Sequence, residues 1–137
     1  MLQLKQISKV LTQGLQEVPA GYESTVLERL PLGISLLSPE GHPLATVTNE
    51  LALKQAEISA DSLRVHGLIG YQHMEQHPDQ LWALCEIDPR LQLMVSRVAT
   101  AQPRYLVVYY HSGFPRAAAK LKLDNMTQVL AKGLEGY

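Results

Sequence analysis

Residues 81–110 have the sequence LWALCEIDPRLQLMVSRVATAQPRYLVVYY, in which two proline-containing turns separate three apolar segments. The segments 81–87, 91–99 and 105–110 are rich in branched and aromatic side chains, which favour strands. The last of them is apolar on both faces, as is typical of a strand that is covered on both sides. This stretch therefore predicts three consecutive strands joined by tight turns.

A hairpin is predicted before these strands. Residues 33–38 and 43–48 are strand candidates, and the segment PEGH at 39–42 between them predicts a turn. Proline fixes φ at one position of this turn, and Gly41 accepts a positive φ without a steric penalty. The hairpin and the three later strands together predict a sheet of five strands.

Three helices complete the pattern. Apolar residues at helical spacing predict them at residues 2–17, 59–76 and 114–134. Residues 18–31 are expected to form a partly ordered connection, and residues 49–60 fit either a short helix or an irregular loop. The order of elements indicates an α/β (α+β) fold, in which a mostly antiparallel five-stranded sheet carries helices on its faces.

The helix at 59–76 has two distinguishable faces. One is a ridge whose members are Val65, Leu68, Ile69 and Gln72. The neighbouring face includes Gly67. Gly67 and Gly70 each lower the stability of the helix by about 1 kcal/mol relative to alanine. Small residues are accepted inside a helix mainly where something packs closely against them, so we interpret both glycines as part of a contact surface. In the last helix, the predicted buried stripe consists of Phe114, Ala117, Ala118, Leu121, Val129 and Leu130.

Composition limits the classes of partner. The net charge is −1 and no long run of lysine and arginine occurs, so binding to nucleic acid is not expected. The single cysteine, Cys85, cannot form an internal disulfide, which favours a reducing compartment. The first residues are too polar for a signal peptide, and no apolar run approaches the ~20 residues of a membrane span. We therefore expect one domain, residues 1–137, that reaches a membrane only indirectly, through a partner.

No residue pattern predicts catalysis, a metal or a cofactor. The chain lacks a phosphate-binding loop, a dinucleotide fingerprint and a G-x-S-x-G elbow. Ser112 follows His111, but this pair fits a turn between a strand and a helix better than a nucleophile and its base. The spacing of His66, His73 and His77 is compatible with one side of a helix, and a polar helix end is favoured over a zinc site.

Two carboxylates, Glu86 and Asp88, lie close together at the end of a strand candidate. Asp88 is most simply explained as the turn residue before Pro89. Glu86 belongs to an otherwise apolar strand. At a sheet edge, an acidic side chain either prevents wrong pairing or pairs with a chosen partner. These observations predict a protein that binds other proteins and is not an enzyme.

Several segments resemble the roadblock domain family. The most specific is VSRVA at 95–99 followed by the strand at 105–110, and the hairpin LLSPEGHPLA at 36–45 also fits the family. Further similarity lies in the terminal helices, at Met1-Leu2, Leu4-Lys5, Val10-Leu11, Gly113-Phe114 and Leu121-Lys122. Within the family, the resemblance is closest to roadblock subunits of Ragulator- and EGO-type complexes.

The resemblance covers residues 1–17, 33–48 and 79–134, and it has no counterpart for residues 18–32 and 49–60. It implies a roadblock/profilin-like fold, with the five-stranded antiparallel sheet sandwiched between one helix and two terminal helices. It also implies a non-catalytic scaffold subunit without a cofactor.

The resemblance further implies a mode of pairing. Roadblock domains pair through the third strand and the second long helix, which joins two five-stranded sheets into one continuous sheet. The implied interface consists of Val65, Leu68, Ile69, Gln72, Trp82, Leu84 and Glu86. Trp82 is the candidate hot spot, and its alternative role is core filling against the second long helix.

Complexes of this type lie on the cytosolic face of the lysosome, late endosome or vacuole. The implied partners are a second roadblock-fold subunit in a heterodimer, a lipidated subunit that wraps the helices 2–17 and 114–134, and Rag-type GTPases recruited for TOR signalling of amino-acid supply. The alternatives are a dynein light chain-like protein, a GTPase-regulating homodimer, and a small-molecule sensor on a profilin-like scaffold.

Overall fold

A computed structural model of the chain describes residues 4–18 and 25–134. Within these ranges the predicted helices and strands occur in the predicted order, with two additional short helices. The bounds are α1 Leu4–Gly14, α2 Val26–Arg29, β1 Gly33–Leu37, β2 Pro43–Thr48, α3 Glu50–Ala56, α4 Ala60–Gln76, β3 Trp82–Glu86, β4 Leu91–Val98, β5 Arg104–His111 and α5 Arg116–Gly133.

The strands form one antiparallel five-stranded sheet in the spatial order β2-β1-β5-β4-β3. β5 lies at the centre, as its two apolar faces predict, and it pairs with β4 from Leu91↔His111 to Val98↔Arg104. β2 and β3 are the two edges of the sheet. The predicted α/β class with a five-stranded antiparallel sheet is confirmed, and the third strand is an edge strand.

Helices cover both faces of the sheet. α1 and α5 pack on one face, over a core that includes Leu11 and Leu123. α4 packs on the other face together with α2 and α3, over a core that includes Leu63 and Tyr109. The predicted sandwich of one long helix opposite two terminal helices is confirmed, and α2 and α3 extend the α4 layer.

Two predicted turns are stabilised by the same residues on which their predictions rest. Gly41 has a φ of +87°, and the Ser38 hydroxyl accepts backbone hydrogen bonds within the same turn. Asp88 Oδ1 accepts hydrogen bonds from the N–H groups of Arg90 at 2.7 Å and Leu91 at 2.9 Å. The bond from Arg90 is the main reason why the pKa of Asp88 lies below its ordinary value. The interpretation of Asp88 as a turn residue is confirmed.

Both connecting segments contain a short helix. α3 begins after Asn49, whose side chain accepts a hydrogen bond from the Ala52 N–H. It ends at Ala56, and the next residue, Glu57, caps it with a φ of +56°. Of the two expectations for residues 49–60, a short helix or an irregular loop, the short helix is therefore confirmed. In the earlier connection, α2 supplies the expected order, and residues 19–24 lie outside the described ranges.

The end of α1 differs from its prediction. The helix ends at Gly14 and not at residue 17, because the Leu15 N–H bonds to the Thr12 carbonyl three residues back and closes the last turn. Residues 2 and 3 of the predicted helix lie outside the described ranges.

The predicted buried stripe of the last helix is partly wrong. Phe114 and Leu130 are buried as expected, but Leu121 and Val129 are 62% and 51% exposed, Ala117 is exposed and Ala118 is only partly buried. The buried side of α5 instead consists of Ala119, Leu123, Met126 and Leu130. The reason is that apolar residues occur on more than one side of this helix, so two overlapping stripes fit its sequence.

Candidate interaction site

An apolar ridge runs along the outer side of α4, and we call its members, Val65, Leu68, Ile69 and Gln72, the α4 ridge. Val65, Leu68 and Ile69 are 61%, 45% and 43% exposed, and Gln72 is also exposed. The opposite side of the helix, which includes Met74, is buried against the sheet. Single exposed apolar residues are ordinary, but contiguous ones are typical of interaction surfaces.

The two helical glycines lie on the buried side of α4. A Cβ at Gly67 would overlap the Tyr109 hydroxyl, and a Cβ at Gly70 would lie 3.1 Å from Leu93 Cδ1. The glycines therefore let α4 approach β4 and β5 closely. Their interpretation as a contact surface is correct, but the surface that they contact is the chain's own sheet and not a partner.

Arg97 of β4 holds the C-terminal end of α4. Its guanidinium group donates hydrogen bonds to the carbonyl oxygens of Met74 at 2.5 Å and Gln80 at 3.0 Å. The last carbonyl groups of a helix have no partner within the helix, so a side-chain donor stabilises them. The guanidinium carbon also lies 5.6 Å from the centre of the Tyr105 ring. Sequence reasoning missed this role of Arg97, although its segment carries the most specific resemblance.

The backbone of β3 is unpaired along its outer side within the described part of the chain. At the two ends of the β3–β4 ladder, the Arg97 N–H bonds to the Leu81 carbonyl, and the Ile87 N–H bonds to the Leu91 carbonyl. Bonded pairs alternate along an antiparallel ladder, so the odd-numbered residues of β3 bond to β4. The even-numbered residues direct their N–H and C=O groups away from the sheet, and these are Trp82, Leu84 and Glu86.

We call these three residues the β3 group, and their side chains lie on the α5 face. The Lys120 ammonium lies 4.6 Å from the centre of the Trp82 ring. Glu86 forms an ion pair of 3.0 Å with Arg116 of α5, and Leu84 packs partly buried against the core under α1 and α5. Trp82 is 42% exposed, so its alternative role of core filling against the second long helix is wrong.

The seven residues of the predicted interface thus occupy two surfaces, the α4 ridge on one face of the sheet and the β3 group on the other. The β3 group lies along the open edge of β3, whereas the α4 ridge extends over the α4 layer, where Val65 and Leu68 lie beside Pro43 at the start of β2. Toward α4, β3 presents Ala83 and Cys85, and burial raises the pKa of the Cys85 thiol. Leu81 lies just before β3 and is 76% exposed. The sequence does not predict this exposure, because Leu81 belongs to an apolar segment that is typical of a strand.

A further exposed surface lies on the outer helices. A groove between α1 and α5 is lined by residues that include Val10, Met126 and Val129. At its end, the Lys122 ammonium donates a hydrogen bond of 2.9 Å to the Gln16 carbonyl just beyond α1, and burial lowers the pKa of this lysine. With the exposed Leu121, this groove adds apolar area to the face that the resemblance assigns to a wrapping subunit.

Three of the histidines have structural contacts, whereas the Nδ1 atom of His66 is buried without a hydrogen-bond partner in the described part of the chain. The rings of His73 and His77 stack with their centres 4.3 Å apart at the end of α4. His111 Nδ1 accepts a hydrogen bond of 3.0 Å from the Gly113 N–H, which confirms the predicted turn before α5. Within residues 4–18 and 25–134, no group of three or more His, Cys, Asp or Glu side chains is placed to hold a metal ion. None of the helices in these ranges has the length and apolar character needed to cross a membrane.

Comparison with known proteins gives one family match. The model of the family described as Protein SLM4 matches residues 1–86. The match includes residues 18–32 and 49–60, for which the roadblock resemblance has no counterpart. No curated protein matches the sequence.

Several solved structures are similar in fold. MglB in a tetrameric arrangement superposes with a TM-score of 0.69 at 16% identity, over 96% of this chain and 89% of that chain. A Roadblock/LC7 domain from Streptomyces avermitilis gives 0.61 at 14% identity, over 93% of this chain and 96% of that chain. MglC from Myxococcus xanthus gives 0.65 at 13% identity, over 92% and 97%. These similarities confirm the roadblock fold.

Proposed function

The chain belongs to the SLM4 family, and from this premise we propose that it is a non-catalytic roadblock subunit of a Ragulator- or EGO-type scaffold. It pairs with a second roadblock-fold subunit, and the pair helps to recruit Rag-type GTPases for TOR signalling of amino-acid supply. The resemblance of residues 36–45, 95–99 and 105–110 to the roadblock subunits of such complexes supports this assignment.

The observation that carries the proposal is the open backbone edge of β3. Each residue of the β3 group offers one N–H and one C=O to an added strand. The α4 ridge contributes apolar area on one face, and Trp82 contributes an aromatic anchor on the other. Glu86 does not repel an incoming strand strongly, because Arg116 balances its charge. An edge with these features suits strand addition better than protection.

A second roadblock subunit fits this edge because it can offer an edge of the same kind. Antiparallel pairing of two such strands joins the two sheets and brings both helical layers into contact. The two ends of β3 differ, since Trp82 lies beside Lys120 at one end and Glu86 lies beside Arg116 at the other. Charged residues of the partner at these two ends can favour an unlike subunit over a second copy.

The groove between α1 and α5 is the surface for the lipidated wrapping subunit. Its exposed Val129, with Leu121 nearby on α5, gives an amphipathic helix of that subunit an apolar surface to cover. The wrapping subunit carries the membrane anchor, so the chain resides peripherally on the cytosolic face of the lysosome, vacuole or late endosome through its partner.

Purification from native extract followed by mass spectrometry tests the proposal. The expected result is a stable complex that contains a second roadblock protein and a lipidated subunit. Co-expression of the chain with that roadblock protein is expected to give a one-to-one complex by native mass spectrometry. A monodisperse monomer that binds no roadblock protein under either condition would contradict the proposal.

A self-associated roadblock protein is the second candidate, and the tetrameric arrangement of the similar MglB structure favours it. In this case the β3 edge pairs with a second copy of the chain. The mass of the purified chain distinguishes the two candidates, since a stable homodimer that does not exchange with other roadblock subunits supports self-association.

A further inference from the structure

The second edge of the sheet also has unpaired backbone groups. The Asn49 N–H bonds to the Leu32 carbonyl, and β2 continues from this pair in the register Gly33↔Thr48, Ile34↔Val47 and Ser35↔Thr46. Bonded pairs alternate along the ladder, so every second residue of β2 directs its N–H and C=O away from β1. These residues are Thr46 and Thr48, and within the described part of the chain no backbone group bonds to them there.

A groove follows this edge on the α4 side. Its floor contains the hydroxyl groups of Ser35 and Thr46, which lie 2.9 Å apart, and Thr48 continues it. The first turns of α4 form the opposite wall, through Asp61 and Arg64. The groove is therefore polar beside the part of β2 whose backbone is open.

The other end of the groove is apolar. It is lined by residues that include Pro43, Val65 and Leu68, with Arg64 between the apolar and the polar ends. Beside it, the register of β2 shifts by one residue, and the bulge leaves Leu44 without a partner on β1 and 44% exposed. A bulge interrupts regular pairing along an edge strand, so the regular open stretch of β2 lies beyond Leu44.

Arg64 is the cation of this groove. Among the ion pairs of residues 4–18 and 25–134, none involves Arg64, and Asp61 on the preceding turn does not reach it as a salt-bridge partner. Arg64 is exposed and lines the groove beside open backbone groups and hydroxyls, and its guanidinium group can reach a carboxylate on an extended chain.

We propose that this groove binds an extended acidic segment of a partner protein, which adds to β2 as a short sixth strand. The segment bonds to the outward backbone groups of Thr46 and Thr48 and places a carboxylate against Arg64. An alternate side chain along the segment is apolar and covers the end near Leu68, because side chains two residues apart lie on the same face. This site is distinct from the β3 edge and goes beyond the proposed pairing function. Val65 and Leu68 also belong to the α4 ridge, so Thr46, Thr48 and Arg64 are its specific determinants.

The test uses the full-length chain and an array of synthetic eight-residue peptides. Their even positions are threonine, and their odd positions, which share one face of a strand, alternate valine with glutamate, lysine or serine. Binding is followed by NMR on the isotope-labelled protein. The expected result is that the glutamate peptides bind and shift the amide signals of Thr46, Thr48 and Arg64. The lysine peptides are expected not to bind, and Arg64→Glu is expected to reverse this preference.

Position 46 provides a matched pair of variants. Thr46→Pro removes only an N–H that points away from β1, which an edge strand tolerates, whereas Thr46→Val keeps it. Both lose the hydroxyl contact with Ser35. Thr46→Pro is expected to weaken binding about five- to tenfold relative to Thr46→Val, the effect of one hydrogen bond.

Several results would overturn the site. One is that Thr46→Pro and Thr46→Val bind the glutamate peptides equally well. Others are that no glutamate peptide binds, or that glutamate and lysine peptides bind with equal affinity. The last is that the peptides shift mainly the amide signals of Trp82–Glu86. A change of oligomeric mass in Thr46→Pro without any peptide effect would assign the edge to a second copy of the chain. If Thr46→Pro does not fold, the proposal is tested by Arg64→Glu alone, through its preference between glutamate and lysine peptides. Loss of roadblock pairing in any of these experiments bears on the β3 edge and not on this groove.

Discussion

The guanidinium group of Arg97 donates a hydrogen bond of 2.5 Å to the Met74 carbonyl oxygen, and so a residue of β4 fixes the end of α4. The same group bonds to the Gln80 carbonyl on the way to β3. Arg97 therefore positions α4 relative to the β3 edge, and the relative placement of the α4 ridge and the β3 group depends on it.

Replacement of Arg97 by methionine is expected to destabilise the fold. It keeps much of the aliphatic stem but leaves helix-end carbonyls without donors, which costs about 2 kcal/mol. Chemical denaturation measures the loss, and hydrogen exchange is expected to quicken in the last turn of α4. Arg90→Met at an exposed turn is the control and is expected to change little. Equal stability of the two variants would contradict the role assigned to Arg97.

Gly67→Ala is expected to destabilise the chain although alanine favours helices. The added methyl group overlaps the Tyr109 hydroxyl, and the overpacking outweighs the gain in helix propensity by about 1 kcal/mol. Adding Tyr109→Phe removes the overlap, so the double variant is expected to recover stability relative to the sum of the single changes. Gly70→Ala is the control, because it meets the flexible end of Leu93. If the effects of the two changes on stability are additive, the overlap with the Tyr109 hydroxyl is not what destabilises Gly67→Ala.

Ile69→Asp tests the α4 ridge. Ile69 is 43% exposed, so the fold is expected to change by no more than about 0.5 kcal/mol, whereas association with a roadblock partner weakens at least about tenfold. Leu51→Asp on α3 is the matched control, since Leu51 is 51% exposed and lies outside the ridge. Native mass spectrometry over a dilution series measures association. Unchanged association in Ile69→Asp would exclude the ridge from the interface.

A proline at position 84 tests strand addition at β3. The Leu84 N–H points away from β4, so Leu84→Pro removes a hydrogen bond to a partner strand while the β3–β4 ladder keeps its own. Leu84→Ala loses similar side-chain packing but keeps the N–H. The dissociation constant of the dimer is expected to be about five- to tenfold higher in the proline variant than in the alanine variant. Equal dissociation constants would mean that the partner does not bond to this edge.

Three buried tyrosines predict the response to alkaline pH. Burial raises the pKa of Tyr105, Tyr109 and Tyr110 from 10.0 to about 12. Because folding favours their protonated forms, their contribution to stability is complete below about pH 10 and is lost as pH rises toward about 12. Absorbance titration of the folded chain is expected to show a late phase that disappears in denaturant. Ionisation of all tyrosines near their ordinary pKa would contradict their burial.

The fold could be predicted from the sequence because its signals are local. Apolar alternation, proline turns and residues such as Gly41 and Asp88 each specify their own segment. The buried side of α5 could not be predicted, since Leu121 and Leu123 are equally apolar and only the packing of α1 and the sheet selects Leu123. Sequence patterns of period 3.6 do not distinguish overlapping stripes on one helix.

The candidate site required long-range information. Alternation predicts that Trp82 and Glu86 share a face of β3, but not whether that face meets α4 or α5. The role of Arg97 depends on a carbonyl 23 residues earlier in the chain. The glycines of α4 were recognised as close contacts, yet only the crossing of α4 over Tyr109 reveals what they contact.

The irregularity at Leu44 makes the two margins of the sheet unequal. A sheet with two equally regular margins can recruit copies end to end without limit and grow into a filament. In the proposed pair of β3 strands, only the β2 margins face outward, and the bulge with Pro43 interrupts any long continuous ladder on them. This bulge restricts an added strand to the short stretch beyond Ala45, and one misaligned leucine therefore limits end-to-end growth into a fibre.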